Sequence, residues 1–169
     1  MSQSHLEHRA RARRSVACAV ITVSDTRTEE TDHSGQLMKE GLTAAGHTIV
    51  HYQIVPDEPE QIRAVVEQLV GEGKCEALLF NGGTGISRRD TTFEVLDGLL
   101  EKRLPGFGEI FRLLSYQEIG SAAIHSRATA GVYRGKVIIS VPGSSGAVRL
   151  ALEKLILPEL PHLVWEVTR

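Results

Sequence analysis

The sequence predicts an α/β fold, a three-layer α/β/α arrangement around a mostly parallel central sheet. Two observations lead there. Short β-branched apolar runs alternate with segments whose apolar residues recur at helical spacing, the pattern of βαβ units. Three of those runs pass directly into loops of glycine, serine, threonine and aspartate, as buried parallel strands do at their carboxyl ends. With 169 residues, 41% of them hydrophobic and 24% charged, the chain has the composition of a globular domain that can bury a core without metal or disulfide staples. Residues 15–169 are read as one domain. Residues 1–14, with Arg9, Arg11, Arg13 and Arg14, are read as a flexible basic arm.

Taken in order, residues 15–24 (SVACAVITVS) form a buried strand that feeds a polar Ser24-Asp25-Thr26 loop. Residues 33–45 carry Leu37, Met38, Leu42 and Ala45 at helical spacing, stopped by Gly46. A second strand, residues 47–55, is cut by Pro56. Pro59 opens a helix whose Ile62, Val65, Val66 and Leu69 make one apolar stripe before Gly71 and Gly73. Residues 77–80 are a third buried strand. Helical patterns follow over residues 92–104 and 107–114, separated by Pro105 and Gly106. Residues 136–141 (KVIISV) are a further buried strand, and residues 147–157 a helix. Pro158 and Pro161 are expected to restart rather than extend that helix.

Several function classes are excluded early. A formal net charge of −2 argues against nucleic acid as partner, since affinity for a phosphate backbone needs a basic surface. No apolar run is long enough to span a membrane. Cys18 and Cys75 are expected to be reduced thiols of a cytoplasmic protein. The histidines have no metal-ligand spacing, and no serine or cysteine stands in a nucleophile motif.

The chemistry is expected where the strands end. Gly82, Gly83, Thr84 and Gly85 let the backbone approach an anion, and such turns present N–H groups to phosphate. A side chain at Gly83 is expected to block that phosphate while leaving the fold intact. Arg88 and Arg89 follow, as cations that pair with phosphate. Asp90 among them either serves a cation such as Mg²⁺ or caps the next helix. Asp57, after the second strand, either partners Asp90 or caps its own helix. Pro142, Gly143, Ser144 and Ser145 make a second small-residue turn able to receive an anion.

Together the motifs Val23-Ser24-Asp25-Thr26, Pro56-Asp57-Glu58, Gly82-Gly83-Thr84-Gly85 with Arg89-Asp90, Pro105-Gly106-Phe107-Gly108-Glu109, Ser126-Arg127-Ala128 and Val141-Pro142-Gly143-Ser144 resemble the molybdopterin-binding MogA/MoaB family of molybdenum cofactor biosynthesis. Residues 111–116 and 118–120 are more similar to the MoaB branch. The resemblance implies the molybdopterin-binding fold and a homo-oligomer, a trimer or a hexamer built from trimers. It also implies adenylyl transfer from Mg-ATP to molybdopterin, giving adenylated molybdopterin and pyrophosphate, with Asp57 and Asp90 as the acidic catalytic positions. On that basis Asp90 and Asp57 would hold Mg²⁺, and Gly82, Gly83, Thr84, Gly85, Arg88 and Arg89 the nucleotide. Ser24, Asp25, Pro142, Gly143, Ser144 and Ser145 would hold the pterin. ATP and molybdopterin are the expected substrates, and other cofactor-biosynthesis enzymes the expected partners. The alternative is a non-catalytic paralogue that carries molybdopterin.

Overall fold

The computed structural model describes residues 15–169; the basic arm expected over residues 1–14 lies outside the described residues. Strands β1 (Ala17–Val23), β2 (Thr48–Val55), β3 (Ala77–Asn81), β4 (Lys102–Arg103), β5 (Thr129–Tyr133) and β6 (Lys136–Val141) form one six-stranded sheet in the order β2-β1-β3-β6-β5-β4. The β2-β1-β3-β6 portion is parallel, whereas β5 runs antiparallel to β6 and β4 antiparallel to β5. The sequence-predicted sheet is thus present, with a hairpin edge that the periodicity did not announce.

Alternation along the central strands divides the core into two layers, because successive side chains point to opposite faces. Cys18, Val20, Leu79, Ile139 and Val141 face α1 (His33–Ala44) and the C-terminal helices. Ala19, Ile21, Leu78, Phe80 and Ile138 face α2 (Pro59–Glu72) and α3 (Thr92–Leu99). The predicted apolar stripe of α2, Ile62, Val65, Val66 and Leu69, is buried in that second layer. Pro59 stands in its first turn and Gly73 ends it with φ +68°, the asymmetry expected of helix starts and stops.

Four element readings need correction. The helix expected over residues 92–104 ends at Leu99 and gives way to β4. The expected 107–114 helix is α4 (Pro105–Ile119), continued by a 3₁₀ turn over Gly120–His125. Strand β5 was unanticipated; it joins β6 through Arg134 and Gly135, both with positive φ (44° and 74°), the backbone that tight hairpins require. Pro158 and Pro161 do not restart the chain's last helix. It runs on through α5 (Ser145–Ala151), a π turn (Leu152–Ile156) and α6 (Leu157–Thr168). The π turn re-registers the hydrogen-bond ladder just ahead of Pro158, and Leu160 and Val164 remain buried.

Candidate functional site

The loops that leave β1, β3 and β6 meet at the carboxyl end of the sheet, where the strand order reverses around β1 and β3. Open α/β sheets bind ligands there. A cavity of about 390 Å³ is lined by Ser24, Arg27, Asn81, residues 82–85, Pro142, Gly143 and Ser144, with His125 at its side. The two small-residue loops touch: a Cβ on Gly143 would stand 3.0 Å from the Cα of Gly82. They are therefore two walls of one cavity rather than two separate anion sites. Ser145 lies outside its lining and approaches Ser34 instead, Oγ to Oγ 3.4 Å.

Gly82 and Gly83 take φ +103° and +63°, conformations that side-chain-bearing residues enter at a cost. Their neighbours add a second reason. A Cβ on Gly82 would stand 2.2 Å from the Val23 carbonyl oxygen, and one on Gly83 2.0 Å from Thr92 Oγ1 and 2.3 Å from Asp57 Oδ2. The expectation that a side chain at Gly83 leaves the fold intact is overturned, because it would meet the protein's own atoms before any phosphate.

The structure separates the roles of the two aspartates. Asp57 is buried, and its Oδ1 accepts from the Thr91 amide at 3.0 Å, from Thr91 Oγ1 at 2.7 Å and from Thr92 Oγ1 at 3.3 Å. It thus satisfies donors at the start of α3 rather than those of α2, the helix it precedes. Asp90 does not cap α3, whose N-cap is Thr91. Its Oδ2 accepts from the Ser87 amide at 3.0 Å, and the carboxylate packs against Gly85.

The expected cations are placed differently from one another. Arg89 closes a fork on Asp25, with both bonds at 2.9 Å, and reaches Glu58 at 2.7 Å. The bond from Arg89 holds the Asp25 carboxyl below its ordinary range. Asp25 also accepts from the Asp57 amide at 3.0 Å. Arg88 is exposed and makes no ion pair among the described residues. Neither Arg88 nor Arg89 lines the 390 Å³ cavity.

Two arginines that sequence reasoning did not place in the site are built into it. Arg127 donates to the carbonyls of Thr84, at 2.9 Å, and Gly85, pairs with Glu94, and lies over the Phe93 ring at 4.7 Å. It clamps the glycine loop to α3. The bond from Arg127 holds the Glu94 carboxyl below its usual range. Arg27 reaches Asp32 Oδ1 at 3.4 Å and the Gly143 carbonyl at 3.2 Å. Asp32 is fully buried, caps α1 through the Gly35 amide at 2.9 Å, and accepts from Tyr52 Oη at 2.7 Å. Burial would raise its pKa, but bonds from Thr22, Tyr52, the Gly35 amide and Arg27 outweigh that and hold it below the ordinary value. An ionised Asp32 only accepts, so Thr22 Oγ1 donates to it and receives Asn81 Nδ2 at 2.9 Å. That fixes the Asn81 amide, leaving its buried Oδ1 without a partner among the described residues, beside the cavity it lines.

Residues 19–162 match the family model described as probable molybdopterin binding domain. The chain belongs to this family. Molybdenum cofactor biosynthesis protein B of Bacillus subtilis (strain 168) is 56% identical over 164 residues, covering 96% of each chain. A crystal structure of a molybdenum cofactor biosynthesis protein B superposes with TM-score 0.88 at 52% identity, covering 90% of this chain and 96% of that one. The tungsten cofactor synthesizing protein MoaB from Pyrococcus furiosus superposes with TM-score 0.84 at 38% identity, covering 94% and 100%. Membership of the molybdopterin-binding family, on its MoaB side, is therefore established, and the fold is the family's. No helix among the described residues is long and apolar enough to cross a membrane.

Proposed function

We propose that this protein of molybdenum cofactor biosynthesis adenylylates molybdopterin from Mg-ATP and releases pyrophosphate. The observation that carries the reading is the packing of Asp57 against Gly83 and of Asp90 against Gly85, directly behind the glycine backbone that lines the cavity. In the reaction, an oxygen of the pterin's phosphate monoester attacks the α-phosphorus of ATP. The new P–O bond forms as the bond to the bridging oxygen breaks, and that electron pair leaves with pyrophosphate. The monoester is already ionised near neutral pH, so the protein has to align the groups and neutralise crowded negative charge rather than supply a strong base.

Among the described residues no group of three or more side chains could cage a metal. Mg²⁺ is commonly held by one or two carboxylates together with substrate phosphates. Asp90 fits, since its Oδ1 carries no hydrogen bond among the described residues while Oδ2 is fixed by Ser87. Asp57 would contribute through Oδ2, its Oδ1 being committed to α3. When bound, the ion neutralises triphosphate charge as the pyrophosphate departs. The backbone of residues 82–85 would cradle phosphate and Arg127 would keep that loop in place. Ser24, Pro142, Gly143, Ser144 and the unpartnered Asn81 Oδ1 would receive the pterin, whose N–H groups can supply the missing donor. We place the reaction in the cytoplasm, in a trimer or a hexamer built from trimers, alongside other enzymes of the pathway.

Asp90→Asn tests the reading, because asparagine keeps an oxygen for the Ser87 amide and removes the charge. Single-turnover adenylation at saturating Mg-ATP should fall at least about a hundredfold, with molybdopterin affinity and thermal midpoint unchanged. Adenylation at the normal rate would return Asp90 to a structural role in its loop. Tight molybdopterin binding with no adenylation by the unmutated protein would make it a carrier.

A further inference from the structure

A second cavity of about 500 Å³ lies beside the first, lined by Ser24, Asp25, Arg27, Glu29, Tyr52 and Pro56 among others. Ser24 and Arg27 alone line both, so the Arg27 side chain forms the ridge between them. It is also the one permanently charged cation on either wall among the described residues.

Arg27 is held there firmly. Its amide and that of Thr26 donate to Ser24 Oγ at 3.2 and 3.3 Å, folding the loop into a tight turn. Its guanidinium is anchored from below by buried Asp32 and from the side by the Gly143 carbonyl, which Ser34 Oγ also engages at 2.7 Å. The side chain is nonetheless 33% exposed, and a guanidinium has more N–H donors than these two bonds use. The residue lines both cavities, so donors beyond those two bonds are available to a ligand there. Asp25 and Glu58 are paired with Arg89 and Asp32 is turned into the core, which leaves Glu29, on the wall of the second cavity, as the acid that shares that wall with Arg27.

We propose that Arg27 grips a phosphoryl group at this ridge, the phosphate monoester of a pterin that occupies the 390 Å³ cavity, and presents it to a nucleotide α-phosphate entering from the second cavity. This rests on the adenylyl-transfer reading for the second substrate, but the phosphate contact itself does not need the reaction. A planar fork suits the task, since it can bind two oxygens of one phosphate while Asp32 fixes its plane. The assignment displaces Arg88 and Arg89 as the principal phosphate cations, because Arg89 already closes on two carboxylates and neither lines the first cavity.

The test compares molybdopterin with its dephosphorylated counterpart, by calorimetry on the full-length protein, in Arg27→Gln and Arg27→Lys. A phosphate contact requires that R27Q lose at least about tenfold in affinity for molybdopterin and almost nothing for the dephosphorylated pterin. R27K, which keeps the charge beside Asp32, should recover part of the loss. In single turnover with saturating substrates, R27Q should also slow adenylation, because the nucleophile is no longer held in line. Equal loss for both pterins would make Arg27 a structural support of the loop and overturn the proposal, as would unchanged molybdopterin affinity in R27Q with a native thermal midpoint. If the unmutated protein forms no adenylated product yet R27Q still loses only the phosphorylated pterin, the adenylyl-transfer reading fails and the phosphate site stands.

Discussion

At position 83 a hydrogen is the only side chain that Thr92 Oγ1 and Asp57 Oδ2 leave room for, and the backbone is left-handed as well. Gly83→Ala is therefore expected to destabilise the protein by at least about 2 kcal/mol, from strain plus overpacking, read as a lowered urea midpoint with an unchanged slope. A variant as stable as the parent would mean that the α3 start and Asp57 can move aside at little cost. Asp57 stands on the other side of the same contact. Asp57→Ala leaves the Thr91 amide and two hydroxyls without their acceptor, which should cost about 1–3 kcal/mol and abolish adenylation. Denaturation that matches the parent would remove the capping role. Both aspartates were visible in the sequence, because a carboxylate after a strand or a glycine turn stands out locally. Arg127 was visible only as part of the Ser126-Arg127-Ala128 motif, without a role, and Arg27 not at all, since a guanidinium's role depends on its partner. Theirs are the Gly143 carbonyl, 116 residues away, and the Thr84 carbonyl, 43 away.

Elements were legible where burial is complete and faded where it is shared. Strands β1, β3 and β6 read as unbroken apolar runs because both faces are covered. Strand β5 contains Gly131, placed there because a Cβ would meet the Lys102 carbonyl oxygen at 2.2 Å; the interruption that permits β4 to pair also hides the strand. The two prolines of α6 misled for a similar reason, since the π turn just ahead of Pro158 has no local sequence signature and Pro161 stands inside the helix. The ends of β1 and α1 carry a pH dependence. Buried His47 accepts the Val16 amide through Nδ1 at 3.2 Å, which requires the neutral ring, and burial lowers its pKa. A depressed histidine pKa means that the unfolded chain takes up the proton first, so stability is complete above about pH 6.5 and falls as pH drops toward the folded value. Asp32, also depressed, adds a second loss as pH falls below about 4. Urea unfolding from pH 8 to pH 3 should show both declines, and His47→Asn, which can accept the Val16 amide without titrating, should remove the first. A flat profile between pH 7 and 5 would contradict the His47 assignment.

At the scale of the whole molecule, α4 has two apolar faces and the fold covers one. Phe111 is buried, and Phe107 and Leu114 pack on the first core layer. Ile110, Leu113, Tyr116 and Ile119, spaced by three residues, are all about half exposed or more, and Ile124 beyond them is 74% exposed. A contiguous stripe of this kind marks a contact surface, because scattered exposed residues do not align along one helix face. Copies of the same chain are the occupants expected here, and closed symmetry lets each copy bury the stripe once. Light scattering at micromolar concentration should give a mass near three or six times the 18.5 kDa chain. Leu113→Glu combined with Ile119→Glu places charges where burial would desolvate them without partners, at a cost of several kcal/mol per ion, so the double variant should approach the single-chain mass while keeping the parent's circular dichroism. Neither position touches the 390 Å³ cavity, so its molybdopterin affinity should match the parent's unless assembly itself shapes the site. A parent protein that runs as a single chain would leave the stripe without its assigned occupant and end this prediction.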